Sequence, residues 1–392
     1  MTERRRPRIL IITRNLPPLV GGMERLNWHM AEELAKHADV IVIGPQGAAA
    51  MAPQGVRVRE VPLRPLWRFI FSAAMMTLRE AREFLPDVVL AGSGLTAPIA
   101  LIAGRVTKAR TAVYVHGLDL TTRHVIYRMA WIPAIRRMHR VIANSRASAT
   151  LATDIRVKPD EIAIVHPGVE IPDIIVDVQS IRLFRQQLGL ATNTILLSVG
   201  RLSERKGLRE FVRESLPRIV EQKPDTVLLV VGDEPRDALN AKAQTRASIQ
   251  EEAVKAGVGE HVKFLGVVTD RDQLLTIYRA SVVHVFPVRQ LPGDPEGFGM
   301  VAVEAAASGI PTVAFATGGI VDAVADGVSG RLVKPGDYSS FSEAVIETIA
   351  YSSNQQEKCR DFALQFAWSH FGDRVFNEIL GDAHASDEEV SG

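Results

Sequence analysis

Two carboxylates flanking a pair of glycines head the residues whose types and spacing could do chemistry. In PGDPEGFGMVAVEAAASG, Glu296 and Glu304 are separated by seven residues, with Gly297 and Gly299 between them. The Ala-rich apolar run after Gly299 predicts a helix starting there. Its first amides and positive dipole end would face an anion such as a diphosphate. A carboxylate accepts from two vicinal hydroxyls, so one acid suits a sugar and the other a ribose. Eight residues of helix rise about 12 Å, an upper figure because the start is not helical. The competing reading, an idle exposed Glu304, sits poorly in so apolar a helix.

Cations come next. In VGRLSERKG, directly after an apolar run, Arg201 and Lys206 lie five residues apart on a loop ending at Gly207. Two cations at the carboxyl end of a strand suit a diphosphate, although a solvated loop carries such residues too. In LPPLVGGMERLNWHMAEEL, Gly21 and Gly22 allow close backbone approach and Met23 opens a helix. The spacing is not G-x-G-x-x-G, so this is a plain turn or a phosphate contact rather than a dinucleotide fingerprint. In YVHGLDL, His116 ends a strand on a Gly turn. A lone His is commonly structural, but its strand-end place argues for a ring that faces a ligand. Asp270-Arg271-Asp272 matches a metal-binding D-x-D, yet it follows Thr269 and opens a helix, where N-capping and dipole complementarity explain it better. Trp67, Phe71, Met75 and Met76 read as an apolar helix face, not a cofactor box. No H-E-x-x-H, G-x-S-x-G or Walker sequence occurs.

Ten short Val/Ile-rich runs must position these groups. They start at Arg8, Asp39, Asp87, Thr111 and Arg140 in the first half. In the second they start at Thr194, Thr226, His261, Val282 and Pro311. Near-continuous apolar strands alternating with helical patterns predict an α/β protein of two Rossmann-like, doubly wound parallel-sheet domains. Pro and Gly interrupt the pattern at Ile164 to Asp173, placing domains at 1–170 and 171–360. A last helical stretch runs from about Phe341 to Leu380, and the acidic tail 381–392 is expected to be disordered.

The composition fits: of 392 residues, 46% are hydrophobic and 23% charged, which excludes collagen-like, coiled-coil and wholly disordered chains. Cys359 is the only cysteine, excluding a disulfide framework and a cysteine-based metal site. No apolar run reaches the roughly 18 residues of a membrane span, and the Arg-rich start leads into a strand rather than a signal h-region. A soluble, cytoplasmic protein is expected. The net charge of +1 hides an asymmetry: Met1 to Pro172 holds 24 Lys plus Arg against 14 Asp plus Glu, and the remainder 22 against 31. The basic half would meet something anionic. RHVIYRMAWIPAIRRMHR, Arg123 to Arg140, interleaves Arg123, Arg128, Arg136, Arg137 and Arg140 with Ile126, Met129, Trp131, Ile132 and Ile135. It reads as a basic amphipathic helix, or two short ones around Pro133, lying on an anionic membrane. A helix flanking a sheet with solvated arginines is the alternative.

Together GGMER at Gly21, HG at His116, PGV at Pro167, GRLSERKG at Gly200, EGFGMVAVE at Glu296, GGIVDAV at Gly318 and DGVSGRLVKPGD at Asp326 resemble glycosyltransferase family 4. The likeness runs from about Arg8 to Trp368. It implies the GT-B fold, two domains facing across a cleft, with the N-terminal domain binding acceptor, the C-terminal one binding donor, and a helix at about 360–380 returning to the first. It implies a retaining, nucleotide-sugar-dependent transferase that needs no metal or other cofactor and takes no nucleic acid. By that resemblance Gly22 contacts the donor phosphate and Arg201 and Lys206 hold the diphosphate. Glu304 binds the ribose, and Glu296 meets the transferred sugar with the amides of Phe298, Gly299 and Met300. His116 faces the donor sugar, and Glu24 lies near sugar or acceptor. Gly232-Asp233-Glu234-Pro235 stands where Gly-Asp-Gly-Pro is common, and Asp322 where Glu is frequent. The GGIVDAV form and the Pro-Gly-Asp loop look like bacterial mannosyltransferases, so the donor is GDP-mannose or a UDP-sugar. The acceptor is a glycan or lipid-linked glycan in surface polysaccharide, lipopolysaccharide or glycolipid assembly, met on the inner face of the cytoplasmic membrane. Retention by double displacement needs carboxyls about 5–5.5 Å apart, which the Glu296–Glu304 spacing does not suit, so a front-face route is expected. A nucleotide-sugar epimerase and an inert, membrane-recruited member of a glycan assembly complex are the alternatives.

Overall fold

Val- and Ile-rich runs of four to seven residues are too short and too apolar for surface helices, and they fold as buried parallel strands. In the computed structural model, which describes residues 5–122, 124–173, 177–234 and 244–381, the first sheet contains β1 (Arg8–Ile12), β2 (Asp39–Pro45), β3 (Val56–Val61), β4 (Val88–Ala91), β5 (Arg110–Val115), β6 (Arg140–Ala143) and β7 (Ile162–Ile164). Their order is β3-β2-β1-β4-β5-β6-β7. The second sheet contains β8 (Thr194–Val199), β9 (Thr226–Val231), β10 (Val262–Gly266), β11 (Val283–Phe286), β12 (Thr312–Phe315) and β13 (Gly330–Val333), in the order β10-β9-β8-β11-β12-β13. Pairing is parallel throughout. Each sheet reverses winding direction once, at β1/β4 and at β8/β11, and ligands of such sheets bind outside the carboxyl ends at that point. The sequence expectation of two doubly wound parallel sheets holds.

Three strands go beyond the ten runs. In β3 the segment VRVREV carries three charges because it is a sheet edge with only its ends buried. β7 is three residues long, and β13 reads GRLV. Short and charged edges are how open sheets avoid pairing with other chains.

The chain divides into two compact units, Met1–Gly168 with Trp368–Gly392, and Val169–Ala367. In the first, helices Leu66–Phe84, Ala97–Thr107 and Val125–Ile135 cover one sheet face, packing Phe69, Ala73, Ile99 and Ile135 against Leu10, Ile12, Val89 and Val113. Helix Trp368–Leu380 packs on β4, β5 and β6 and along helix Gly22–His37. The last helical stretch is two helices, Tyr338–Leu364 and Trp368–Leu380, not one. QFA holds no Gly or Pro, so no local signal marks the break. Tertiary packing makes it: Phe366 is buried in the core of the second unit, while three residues earlier and later the helices serve different units. Trp368 stacks on His29 at 4.1 Å between ring centroids.

The basic stretch also departs from expectation. Helix Val125–Ile135 runs unbroken through Pro133. Trp131 is turned inward: its indole N–H donates to Leu95 O at 2.7 Å and its ring stacks on Tyr127. Ile132 and Ile135 pack into the core, and Arg140 Nε bonds Glu378 at 2.6 Å. Arg123, Pro235 and the acidic tail from residue 382 lie outside the described residues. Among the described residues no helix is long and apolar enough to cross a membrane.

Gly372 lets helix Trp368–Leu380 lie close to helix Gly22–His37, since a Cβ there would come within 2.4 Å of Glu33 Cβ. Gly372→Ala should therefore cost about 1–3 kcal/mol by overpacking. Urea unfolding should show a lower midpoint at constant slope, and an unmoved midpoint would refute that close packing.

Candidate functional site

In the second unit the two loops leaving the switch-point strands meet. The loop after β8 carries Arg201, Arg205 and Lys206, and the loop after β11 carries Asp294 and Glu296. Lys206 Nζ donates to Glu296 Oε2 at 2.8 Å, and both side chains are little exposed, 17% and 11%. Arg205 Nη1 sits 3.6 Å from the same carboxylate oxygen and 3.6 Å from Asp294, and it donates to Pro295 O at 2.8 Å. Lys206 also lies over the Phe286 ring, 4.6 Å from its centroid. Burial opposes ionising Glu296, but Arg205, Lys206 and Arg201 outweigh it and hold the carboxyl at about 2. Burial, opposed by Glu296 and seconded by Arg205 and Arg201, pulls Lys206 below an ordinary lysine. Arg201 is exposed and acts on Glu296 through its charge rather than through a direct salt bridge among the described residues.

Helix Met300–Ala307 begins after Gly299, as the sequence suggested, and no side chain caps its N-terminus. Phe298 is buried against Phe366, so only its backbone is placed to meet a ligand. One turn in, Glu304 is half-buried, and Tyr278 Oη donates to its Oε2 at 3.2 Å. The structure thus brings Arg201, Lys206 and Glu296 into one charged cluster at the loop preceding the helix of Met300 and Glu304.

The first unit holds the remaining candidates. Gly22 is the first residue of helix Gly22–His37 and is exposed. Glu24 accepts from Asn15 Nδ2 at 2.8 Å. His116 follows β5 as the N-cap of the short helix Gly117–Thr121, and its backbone N–H donates to Asp119 at 2.9 Å. Asn144 Nδ2 approaches its Nδ1 at 3.5 Å, and its Nε2 is buried without a well-aligned partner among the described residues. Burial lowers the His116 pKa, with the charges of Asp119 and Glu24 opposing. Glu24 and His116 therefore share one electrostatic environment above the carboxyl ends of β1 and β5.

Several contributors escape a sequence reading. Arg205 looks like one more loop cation, yet it holds Glu296. Arg289 bonds Glu210 at 2.9 Å and its backbone N–H bonds Arg205 O at 2.8 Å, fastening the two loops together. Gly319, in GGIVDAV, is placed for close approach: its N–H donates to Glu296 O at 2.9 Å and a Cβ would meet Gly297 O at 2.0 Å. The double glycine was the one available signal. His284 is fully buried, and burial followed by the Lys206 charge keeps it neutral, its pKa at about 3. Asp270 accepts from Gln273 N at 2.7 Å as a helix cap, the role expected of it.

Residues 180–365 match the family described as Glycosyl transferases group 1, and residues 20–171 match Glycosyltransferase Family 4. The chain is 27% identical, over 87% of its length and 89% of the relative's, to the GDP-mannose-dependent alpha-(1-6)-phosphatidylinositol monomannoside mannosyltransferase of Mycolicibacterium smegmatis. It is 32% identical, over 60% of its length, to the D-inositol 3-phosphate glycosyltransferase of Mycolicibacterium vanbaalenii, about half of whose length (51%) it spans. The crystal structure of Anabaena Alr3699/HepE in complex with UDP superposes with a TM-score of 0.78 at 21% identity, covering 95% of this chain and 98% of that one.

Glu296 is held ionised far below an ordinary glutamate, so its stabilising contribution is complete above its unfolded pKa near 4.5 and is lost as pH falls toward about 2. Between pH 5 and 2, urea unfolding of wild type should lose about 3 kcal/mol that Glu296→Gln does not lose. Parallel pH profiles for the two proteins would contradict the ion pair.

Proposed function

Because the chain belongs to the family 4, group 1 glycosyltransferases and so moves a sugar from a nucleotide donor, we propose that it transfers a hexose, mannose from GDP-mannose in the first instance, to a lipid-linked or glycan acceptor with retention of anomeric configuration. One observation carries the reading: three cations, Arg201, Arg205 and Lys206, converge at the second sheet's switch point, beside a helix N-terminus that no side chain caps. A diphosphate is the ligand that such a charge and such a position suit. The donor's name in the Mycolicibacterium smegmatis relative supports GDP-mannose, and that relative's phosphatidylinositol monomannoside supports an acceptor carried on lipid. The UDP of the Anabaena structure keeps UDP-sugars as the second donor to assay.

In this mechanism Arg201 and Lys206 grip the diphosphate. Lys206 passes from Glu296 to the leaving phosphate as the glycosidic bond lengthens. Glu296 then accepts from hydroxyls of the transferred sugar, and the amides at Phe298, Gly299 and Met300 receive negative charge. Glu304, oriented by Tyr278, accepts from the two ribose hydroxyls. The C1–O bond to the diphosphate breaks as the acceptor oxygen bonds C1 on the same face, and the departing phosphate oxygen takes the acceptor's proton. The role proposed for Gly22 is a contact to the donor phosphate, for His116 the donor sugar, and for Glu24 the sugar or acceptor. The cations supply the charge stabilisation, so the reaction proceeds without a divalent metal on the cytoplasmic side of a membrane.

Proton NMR of the first-formed product from GDP-mannose and a short-chain lipid acceptor should show the donor's α configuration, and EDTA should leave the rate unchanged. A β product would sink retention. Lys206→Ala should cut kcat by about 10²–10³, equivalent to about 2.7–4 kcal/mol, by analogy with loss of an oxyanion donor. A raised KM at constant kcat would limit Lys206 to ground-state binding. Glu304→Ala should instead chiefly raise the donor Kd, because ribose is held alike before and during reaction; isothermal titration with GDP distinguishes these outcomes.

A further inference from the structure

We infer that Asn144 is a positioning residue that acts through His116: it fixes the imidazole proton on Nε2, the form that donates to a sugar hydroxyl. This role deepens the one proposed for His116 at the donor sugar, and rests on it. β6 ends at Ala143, and the next two residues make the turn into helix Arg146–Asp154. Ser145 caps that helix, its Oγ accepting from Ser148 N at 3.1 Å. The cap is complete without Asn144. Yet Asn144 is only 4% exposed, so its side-chain amide is buried together with two donor hydrogens and an acceptor. Such a group costs stability unless its polar atoms find partners.

The partners set its orientation. Ser148 Oγ donates to Asn144 Oδ1 at 2.6 Å, and Ser145 Oγ lies 3.5 Å from the same oxygen. Both serines are fully buried. With Oδ1 used by hydroxyls, the Nδ2 end is turned to the loop after β5, where it approaches His116 Nδ1 at 3.5 Å. The backbone is held as well, since Asn144 O lies 3.1 Å from His166 Nδ1. An amide nitrogen offers only hydrogens, so His116 Nδ1 must accept. In a neutral ring the proton then stands on Nε2.

The surroundings keep the ring neutral and leave that proton poorly used. The charges that face His116 are Asp119, on its own short helix, and Glu24, from helix Gly22–His37. Both oppose burial, which is the larger effect and holds the ring below an ordinary histidine. Nε2 is buried near the Gly92 carbonyl, without a well-aligned partner among the described residues. Gly92 follows β4 at the switch point of the first sheet, where ligands of such sheets bind. A hydroxyl oxygen arriving there would give the buried donor the hydrogen bond it lacks. Neutrality also suits the reaction, because an imidazolium would repel the positive charge that grows on the anomeric carbon as the diphosphate leaves.

Asn144→Asp separates this role from packing. It keeps the size of the side chain and the acceptor for Ser148, but offers His116 a carboxylate oxygen, which draws a proton to Nδ1. Long-range proton–nitrogen NMR of the full chain, with His116 assigned by its loss in His116→Ala, should show wild type neutral and protonated on Nε2. In Asn144→Asp the ring should be protonated on Nδ1 or on both nitrogens. In transfer from GDP-mannose to a short-chain lipid acceptor, this variant should lose about 10–100-fold in kcat, the range for removing a partner that orients a metal-binding imidazole. Isothermal titration with GDP, which lacks the sugar, should give the wild-type Kd. In a His116→Ala background the substitution should cost nothing further. If the new carboxylate prevents folding, Ser148→Ala gives the same readings: the amide loses the hydroxyl that orients it, so both tautomers should appear and kcat should fall. A wild-type ring protonated on Nδ1 would overturn the inference. So would a kcat loss that persists undiminished in His116→Ala, which would reduce Asn144 to packing, or a reversed tautomer with unchanged kcat in an enzyme that His116→Ala cripples. Wild-type turnover by His116→Ala itself, with the tautomer as expected, would instead defeat the role proposed for His116 and Asn144's with it.

Discussion

A buried carboxylate must be paired or it will neutralise itself, and Glu296 is where the second unit meets that constraint. Its side chain is compensated by Lys206 and Arg205 from the loop after β8. Its own carbonyl is taken by Gly319, from the loop after β12. Three loops that are far apart in sequence are therefore tied at one residue. The tie also sets the polarity of the site. With Glu296 engaged by two cations, Arg201 remains the exposed positive charge of the cluster.

Much of this was legible because parallel sheets write their strands as apolar runs and because a ligand site at a switch point must sit in the following loops. Arg201, Lys206, Glu296 and Glu304 all fall in or just after such loops. Features set by tertiary packing were not legible. The break at residues 365–367 has no helix breaker, only two cores pulling Phe366 and Trp368 apart. Trp131 and Trp67 both lie in amphipathic patterns, and nothing local says which indole finds a carbonyl inside, as Trp131 does with Leu95. Arg205 differs from its neighbours only in the direction its loop points it, which a spacing argument does not contain.

The likeness in fold to the Anabaena structure at 21% identity with a TM-score of 0.78 has a physical reason in the way the sheets are made. The buried strands of the chain's two parallel sheets need only be apolar and of the right length. Hydrophobic residues of suitable volume interchange in such cores with modest cost. Sequence can drift widely while the fold is kept.

The route of the chain has a consequence for how the protein is made. The second unit, Val169–Ala367, is continuous, whereas the first is completed by Trp368–Leu380 from the other end of the sequence. A ribosome delivers β1 to β7 first, yet the sheet face over β4, β5 and β6 waits uncovered until the final helix emerges. Domains ordinarily fold in the order of their synthesis. Here the order is inverted: the unit begun first is finished last, and its apolar surface over β4, β5 and β6 lacks its covering helix until the second unit has been translated.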